Sequence, residues 1–377
     1  FSSMFIKAGV CINFLNNAFK DALPEQIANQ KQTDPEFEAD NRPIRRMHLN
    51  ECAYLPSPKV FEAIKEHAPR IHRYPDLHWN EITHALSNYT GMAQNRIVMG
   101  NGSDEAIVAA GRITLDTGSE MLASMPSFPS YYKNAIVNGA KLLTTGIQKN
   151  GAIDVDLMLS RITNKTKLVF AATPNNPTGG VLGNEDVEKL VEKVPDTALL
   201  ILDEAYYEFT KYSGAENQLN IMKKRKGPWA VFRTFSKAYG LAGLRVGYIL
   251  CGSEEVYAGF QLARSTFNVN ILAQVAACAA LKDERHMQDI VSKTIVERQR
   301  IYDGLISLGC RPYPSEANFI SAFTPLMANQ IKEDLAKERI LISQVNAVGF
   351  EKCIRIPVGK KADTKAFLYE MTKILAQ

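Results

Sequence analysis

The sequence predicts an α/β protein: a large unit with a mostly parallel central sheet covered by helices, and a smaller α+β unit. Three observations carry that expectation. Between about residues 95 and 270, short runs that are apolar throughout alternate with stretches of helical period. Such strands are buried on both faces, and intervening helices make the sheet parallel. Polar residues fall just after those runs, where open α/β sheets bind ligands. After about residue 285 the texture changes to a long helix, Met287 to Leu308, a few strands and a final helix from Thr364.

Taken in order, Met4 to Leu15 is apolar but short and carries Lys7, and the chain starts at Phe rather than Met. A remnant of a targeting segment and an arm packing on the body or on a partner subunit are both open; the arm is the reading adopted. The stretch Gln26 to Arg46 is polar and reads as a linker or extended arm. The expected strands are Ile97-Val98-Met99, Met121-Leu122-Ala123, Lys167 to Ala171, Ala198 to Leu202 and Ala230-Val231-Phe232, with helices at Glu105 to Leu115 and Asn184 to Lys193.

Composition excludes several classes. The 377 residues are 46% hydrophobic and 22% charged, ordinary for a globular chain, and their number suggests two units. Lys plus Arg total 44 against 40 for Asp plus Glu, and the run Lys223-Lys224-Arg225-Lys226 has no interleaved aromatics. A solvated turn explains it, and no nucleic-acid partner is expected. No segment approaches the ~18 apolar residues of a membrane span. Six scattered cysteines (Cys11, Cys52, Cys251, Cys278, Cys310, Cys353) include no Cys-x-x-Cys pair. No disulfide framework or metal is expected, and a reducing, cytoplasmic location is.

The candidate chemistry lies at the strand ends. Lys237 follows an apolar strand among small and hydroxyl residues, with Arg245 eight residues on. Desolvation and a neighbouring cation lower an amine's pKa, as Schiff-base chemistry requires; alone, Lys237 is also consistent with a solvated lysine. Asp203 ends the run Leu199-Leu200-Ile201-Leu202, and a buried acid needs a positive or hydrogen-bonding partner. A protonated pyridine nitrogen is one such partner; a helix cap or a metal ligand are alternatives, though no His accompanies it. Gly100-Asn101-Gly102-Ser103-Asp104-Glu105 is a strand-to-helix junction able to bind an anion, with Ser103 or Asp104 as a plain N-cap the alternative. It lacks the Lys of a phosphate-binding P-loop and the third Gly of the dinucleotide fingerprint.

Together, Ser103, Thr173-Pro174-Asn175-Asn176-Pro177-Thr178-Gly179, Asp203-Glu204-Ala205-Tyr206, Ser236-Lys237 and Arg245 resemble fold-type I pyridoxal-phosphate (PLP) enzymes, the class I/II aminotransferases. The resemblance runs from Met47 to Gly359. Arg73-Tyr74-Pro75, Phe267-Asn268-Val269-Asn270 and Ala317-Asn318-Phe319 resemble the histidinol-phosphate aminotransferase branch.

The resemblance implies that Lys237 holds PLP covalently and moves the proton. It implies that Asp203 pairs with the pyridine nitrogen, and that Asn176 and Tyr206 bond the ring's phenolic oxygen. Ser103, the N–H of Asp104, Ser236 and Arg245 would hold the phosphate. Phe128 would stack on the ring where many relatives carry Tyr. Tyr74 would reach the neighbouring subunit's cofactor in a homodimer. Arg355 would clamp the substrate's carboxylate or phosphate, with Asn318 and Tyr54 also on the substrate side. The division it implies is an arm at 1–46, part of the smaller unit at 47–72, the large PLP-binding unit at 73–284 and the rest of the smaller unit at 285–377.

Two departures bear on substrate. The branch usually carries a second Arg where this chain has Ser343, and its Asn-Glu-Asn-Pro-Tyr motif reads Asn50-Glu51-Cys52-Ala53-Tyr54. The expectation is an aminotransferase passing an amino group from an amino acid or related amine to a keto acid, with an altered substrate pocket. Decarboxylation, elimination, cyclisation or oxidation on the same fold is the alternative, and a non-catalytic sensor domain a third reading.

Overall fold

The computed structural model describes residues 42–214 and 216–376. The expectations about Met4 to Leu15, and about most of Gln26 to Arg46, lie outside them. The strands are β1 (Arg45–Arg46), β2 (Ile97–Gly100), β3 (Glu120–Ser124), β4 (Lys141–Thr145), β5 (Thr166–Ala172), β6 (Leu199–Asp203), β7 (Trp229–Thr234), β8 (Gly247–Cys251), β9 (Arg311–Pro312), β10 (Phe319–Phe323), β11 (Ile340–Leu341), β12 (Ser343–Gln344) and β13 (Cys353–Pro357). Helices used below are α1 (Pro58–His67), α2 (Asn80–Thr90), α3 (Gly102–Thr114), α4 (Pro129–Val137), α5 (Val155–Ser160), α6 (Asn184–Lys193), α7 (Tyr207–Tyr212), α8 (Leu219–Met222), α9 (Glu254–Ala263), α10 (Ile271–Leu281), α11 (Glu284–Ser307), α12 (Ala328–Lys337) and α13 (Lys361–Leu375).

Seven strands form the main sheet in the order β2-β8-β7-β6-β5-β3-β4. All pairings are parallel except those of β8, which runs against both β2 and β7. Two antiparallel steps leave β2 parallel to β7, so the C-terminal ends of β2, β5, β6 and β7 share one edge. Every residue of β3, β6, β7 and β8 is buried, the pattern of strands covered on both faces. Two strands were not among those expected. Lys141-Leu-Leu-Thr-Thr is an edge strand with only Thr145 buried, and the short β8 follows directly on the Lys237–Arg245 stretch.

A second apolar cluster holds Ile320, Ile354, Ile356, Ile331, Phe367 and Met371, under the antiparallel sheet β12-β13-β10-β9. The N-terminal part reaches it: β1 pairs with β11, Arg45 opposite Ile340, and Met47 joins the cluster. Helix α1 packs on α10, and its Val60 belongs to the large cluster. Helix α11, 24 residues long, serves both: Met287 and Val291 lie in the large cluster, Ile301 and Leu305 in the second. Among the described residues no helix is long and apolar enough to cross a membrane, and no His/Cys/Asp/Glu group could hold a metal.

Candidate active site

The shared strand edge opens into a cleft of about 440 Å³. At one end, β2 turns into α3 through Gly102, whose φ is +72°. A Cβ at Gly102 would run into the Arg245 guanidinium, so glycine lets that cation close over the helix start. Arg245, itself left-handed at φ +56°, pairs with Asp104 at 3.0 Å. Asp104 also accepts from Ser130 Oγ at 3.2 Å. Asn101, not Ser103 or Asp104, occupies the cap position of α3, and its side chain makes no cap bond. Ser103, Asp104, Arg245 and Ser236 therefore line the same end of the cleft, with the N-terminus of α3 and a guanidinium suited to an anion. Ser236 is fixed by Thr234, whose Oγ1 lies 3.0 Å from its hydroxyl and accepts its N–H at 3.1 Å.

The middle of the cleft holds Asp203, Tyr206 and Lys237, with Phe128 on its wall. Asp203 is 5% exposed and accepts from Tyr131 O–H at 2.6 Å and from Ala205 N–H at 3.0 Å. Burial pushes its carboxyl up to about 6 despite those two bonds. Lys237 donates to the carbonyl of Asn50 at 3.1 Å. Burial, with Arg355 and Arg245 nearby, brings its amine down to about 8, so a useful fraction is neutral near physiological pH. The Tyr206 hydroxyl accepts from Asn50 Nδ2 at 2.9 Å, and burial pushes it up to about 12.

Arg355 forms the far wall. Its Nη1 donates to Asn176 Oδ1 at 2.7 Å and its Nη2 to the carbonyl of His48 at 2.9 Å. Its buried Nε has no partner. Ser343 sits directly opposite Arg355 across the β12–β13 pair, donating to His48 O at 2.7 Å with its hydroxyl 3.4 Å from Nη2.

Three residues named from sequence lie outside the cleft lining. Asn318 is buried beneath it, donating to the carbonyls of Asn50 and Glu51 at 3.1 and 3.2 Å; it holds the segment Leu49–Glu51 that lines the cleft. Tyr54 lies under Lys293, 5.6 Å from its ring centre. Tyr74 is 79% exposed and stacks on Phe267 at 4.4 Å. The sequence reading gave no role to Tyr131 or to Asn50, the latter at φ +54°. The available signal for Tyr131 was that a buried strand-end acid needs a donor.

A parallel sheet with a desolvated lysine, a buried aspartate and an anion-binding helix start along one edge defines an aminotransferase-type fold and site. The chain belongs to the family "Aminotransferase class I and II", whose description matches residues 44–369, and it is a PLP-dependent aminotransferase. Within that family it falls in the histidinol-phosphate aminotransferase branch. It is 34% identical to the histidinol-phosphate aminotransferase of Bacillus licheniformis, over 92% of this chain and 94% of the relative. It is also 34% identical to histidinol-phosphate aminotransferase 2 of Carboxydothermus hydrogenoformans, over 88% and 91%. The crystal structure of the Sinorhizobium meliloti histidinol-phosphate aminotransferase in complex with pyridoxal-5'-phosphate superposes with a TM-score of 0.83 at 28% identity, covering 89% of this chain and 92% of that one.

The residues present fit the cofactor. The Gly102 cradle under Arg245 suits its phosphate, and the Asp203 carboxylate, bonded by Tyr131 and Ala205, faces the cleft.

Proposed function

We propose that this aminotransferase takes a free α-amino acid as donor and a keto acid as acceptor, with Arg355 gripping the carboxylate of each. The observation that carries the reading is Arg355 in the cleft wall with its buried Nε unpartnered and a serine, not a second arginine, directly opposite. The other cations lining the cleft are Lys133, Lys237 and Arg245. Arg245 is tied to Asp104, and Lys133 lies on the turn of α4 that carries Ser130, which bonds the same Asp104. Arg355 is thus the cation of the substrate wall. A planar guanidinium suits a carboxylate.

In this reading PLP supplies an electron sink when bound. Lys237 would hold it covalently, and its Nζ would take up the donor's α-proton. Asp203 keeps the ring nitrogen protonated, and Asn176 and Tyr206 bond the ring's phenolic oxygen. Ser103, the N–H of Asp104, Ser236 and Arg245 grip the phosphate, and Phe128 packs on the ring. Asn318 and Tyr54 shape the substrate side from behind the Asn50 segment. Over a full cycle the donor amino acid becomes its keto acid, and the acceptor keto acid receives the amino group and becomes an amino acid. We further propose a homodimer in which Tyr74 serves the partner's site, a large PLP-binding unit over 73–284 joined by α1, and a smaller unit completed by 285–377. A cytoplasmic setting is supported by the free thiols of Cys52, Cys251, Cys278, Cys310 and Cys353.

The named relatives act on histidinol phosphate. A charge-assisted hydrogen bond is worth roughly 1.5–3 kcal/mol, so one or two missing at Ser343 weaken the grip on a phosphorylated substrate by ~10–10⁴-fold. Side-by-side kinetics with a panel of free amino acids and histidinol phosphate test this. A free amino acid is expected to give the higher kcat/KM; histidinol phosphate best by a wide margin overturns the reading.

A further inference from the structure

Asp203 sits at the end of β6, yet the donor to its Oδ2 comes from another element. Tyr131 lies in the first turn of α4, 72 residues away in sequence, and its hydroxyl reaches Oδ2 at 2.6 Å. The ring is 1% exposed. It stacks on Phe170 of β5 with centroids 4.3 Å apart and planes at 12°, and meets Phe128 edge-on at 5.8 Å. The phenol is therefore held in place by packing that does not involve Asp203. Burial lifts it well above its ordinary value, so at any working pH it is a donor. The Ala205 N–H on Oδ1 leaves each carboxylate oxygen with one fixed partner and further lone pairs for the cleft.

We propose that Tyr131 is a positioning residue: its hydroxyl holds the Asp203 carboxylate in one orientation, with its charge available to the ring nitrogen of the cofactor. The proposal rests on the reading of Asp203 as that nitrogen's partner. Burial raises Asp203, and the carboxylates of Asp104 on α3 and Glu204 next in the chain raise it too. Tyr131 and then Ala205 oppose them. Tyr206 and Lys237 line the same cleft. Without the hydroxyl the balance tips toward the neutral acid, and a protonated carboxyl cannot accept the ring proton.

The test measures PLP affinity against pH for the wild type, Tyr131→Phe, Asp203→Asn and the double variant, with melting temperatures alongside. Wild-type affinity should fall as pH drops through the Asp203 value. In Tyr131→Phe that fall should begin about one pH unit higher, a tenfold change in the proton equilibrium. Asp203→Asn should show no such fall, and adding Tyr131→Phe to it should change affinity by no more than about twofold. A purely structural role predicts the same loss with or without Asp203, and that result overturns the proposal, as does an unshifted midpoint in Tyr131→Phe. Site-specific 3-fluorotyrosine at position 131, a stronger donor of nearly the same shape, should move the midpoint downward. It decides the matter should Tyr131→Phe fail to fold. If Asp203→Asn binds PLP and turns over like the wild type, the Asp203 reading fails and this proposal with it. If Asp203→Asn is impaired while Tyr131→Phe is unshifted, the Tyr131 proposal alone fails.

Discussion

Lys237 is under two pressures that act in the same direction. Its amine is withdrawn from water, and the guanidinium groups of Arg355 and Arg245 disfavour a further positive charge. The sign follows directly. Below about 8 the side chain is mostly ammonium and cannot attack a carbonyl; above it the free amine is the main form. The rate at which cofactor-free enzyme captures PLP covalently should therefore rise with pH up to about that value and then level off. Borohydride should fix the cofactor on Lys237, which peptide mass mapping would reveal, and Lys237→Ala should abolish the labelling. Fixation on a different lysine overturns the assignment.

At the scale of elements, the strand ends are locked together behind the cleft. Arg233 of β7 bonds Glu204, one residue past Asp203, with Nη2–Oε2 2.7 Å and Nε–Oε2 2.8 Å, and its guanidinium lies 3.4 Å from the Tyr207 ring centre. Both partners are buried. Arg233→Met leaves an uncompensated carboxylate and should lower unfolding free energy by about 3–5 kcal/mol. Urea denaturation checks this, and the double variant Arg233→Met/Glu204→Gln should be the more stable of the two. A neutral Arg233→Met would mean that water reaches the pair.

The same scale explains what could be read in the sequence. Strands β3, β5, β6 and β7 were legible because burial on both faces leaves a continuous apolar run. Lys237, Asp203, Ser103 and Arg245 were legible because they punctuate those runs. Edge strand β4 was not, since its mixed residues lack that pattern. Asn50 and Tyr131 were not, because their partners are distant: Lys237 meets Asn50 across 187 positions, and Tyr131 meets Asp203 across 72. Local pattern carries no record of such pairs. The substitution at Ser343 was readable, but its place opposite Arg355 needed the β12–β13 register.

Over the whole molecule, the exposed apolar side chains include Leu55, Ile71, Tyr74 and Leu262. Tyr74 is stacked on Phe267 rather than buried, which suits a residue offered to another subunit. Mixing inactive variants tests this. Combining Tyr74→Ala and Lys237→Ala chains by refolding should restore activity, because in a mixed dimer the site that keeps Lys237 receives Tyr74 from its partner. If Tyr74 served its own chain's site, no mixed dimer would hold an intact pair. Sedimentation should show a dimer for both variants, and absence of complementation in such dimers overturns the arrangement.

Helix α11 has a consequence for how the protein comes apart. Its first turns are built into the apolar cluster beneath the main sheet, and its last turns into the cluster beneath β10 and β13. Midway, Arg298 donates to Ala317 O at 2.9 Å and pairs with Glu316 at 3.0 Å, the two residues that precede Asn318 and the strand after it. At 1.5 Å per residue the helix is about 36 Å long. If either cluster melted alone, half of this rod would lose its apolar cover while the other half stayed docked. Shedding that half exposes Met287 and Val291, or Ile301 and Leu305, to water. The helix thus couples the two clusters, and melting of one removes apolar cover from residues that the other holds in place.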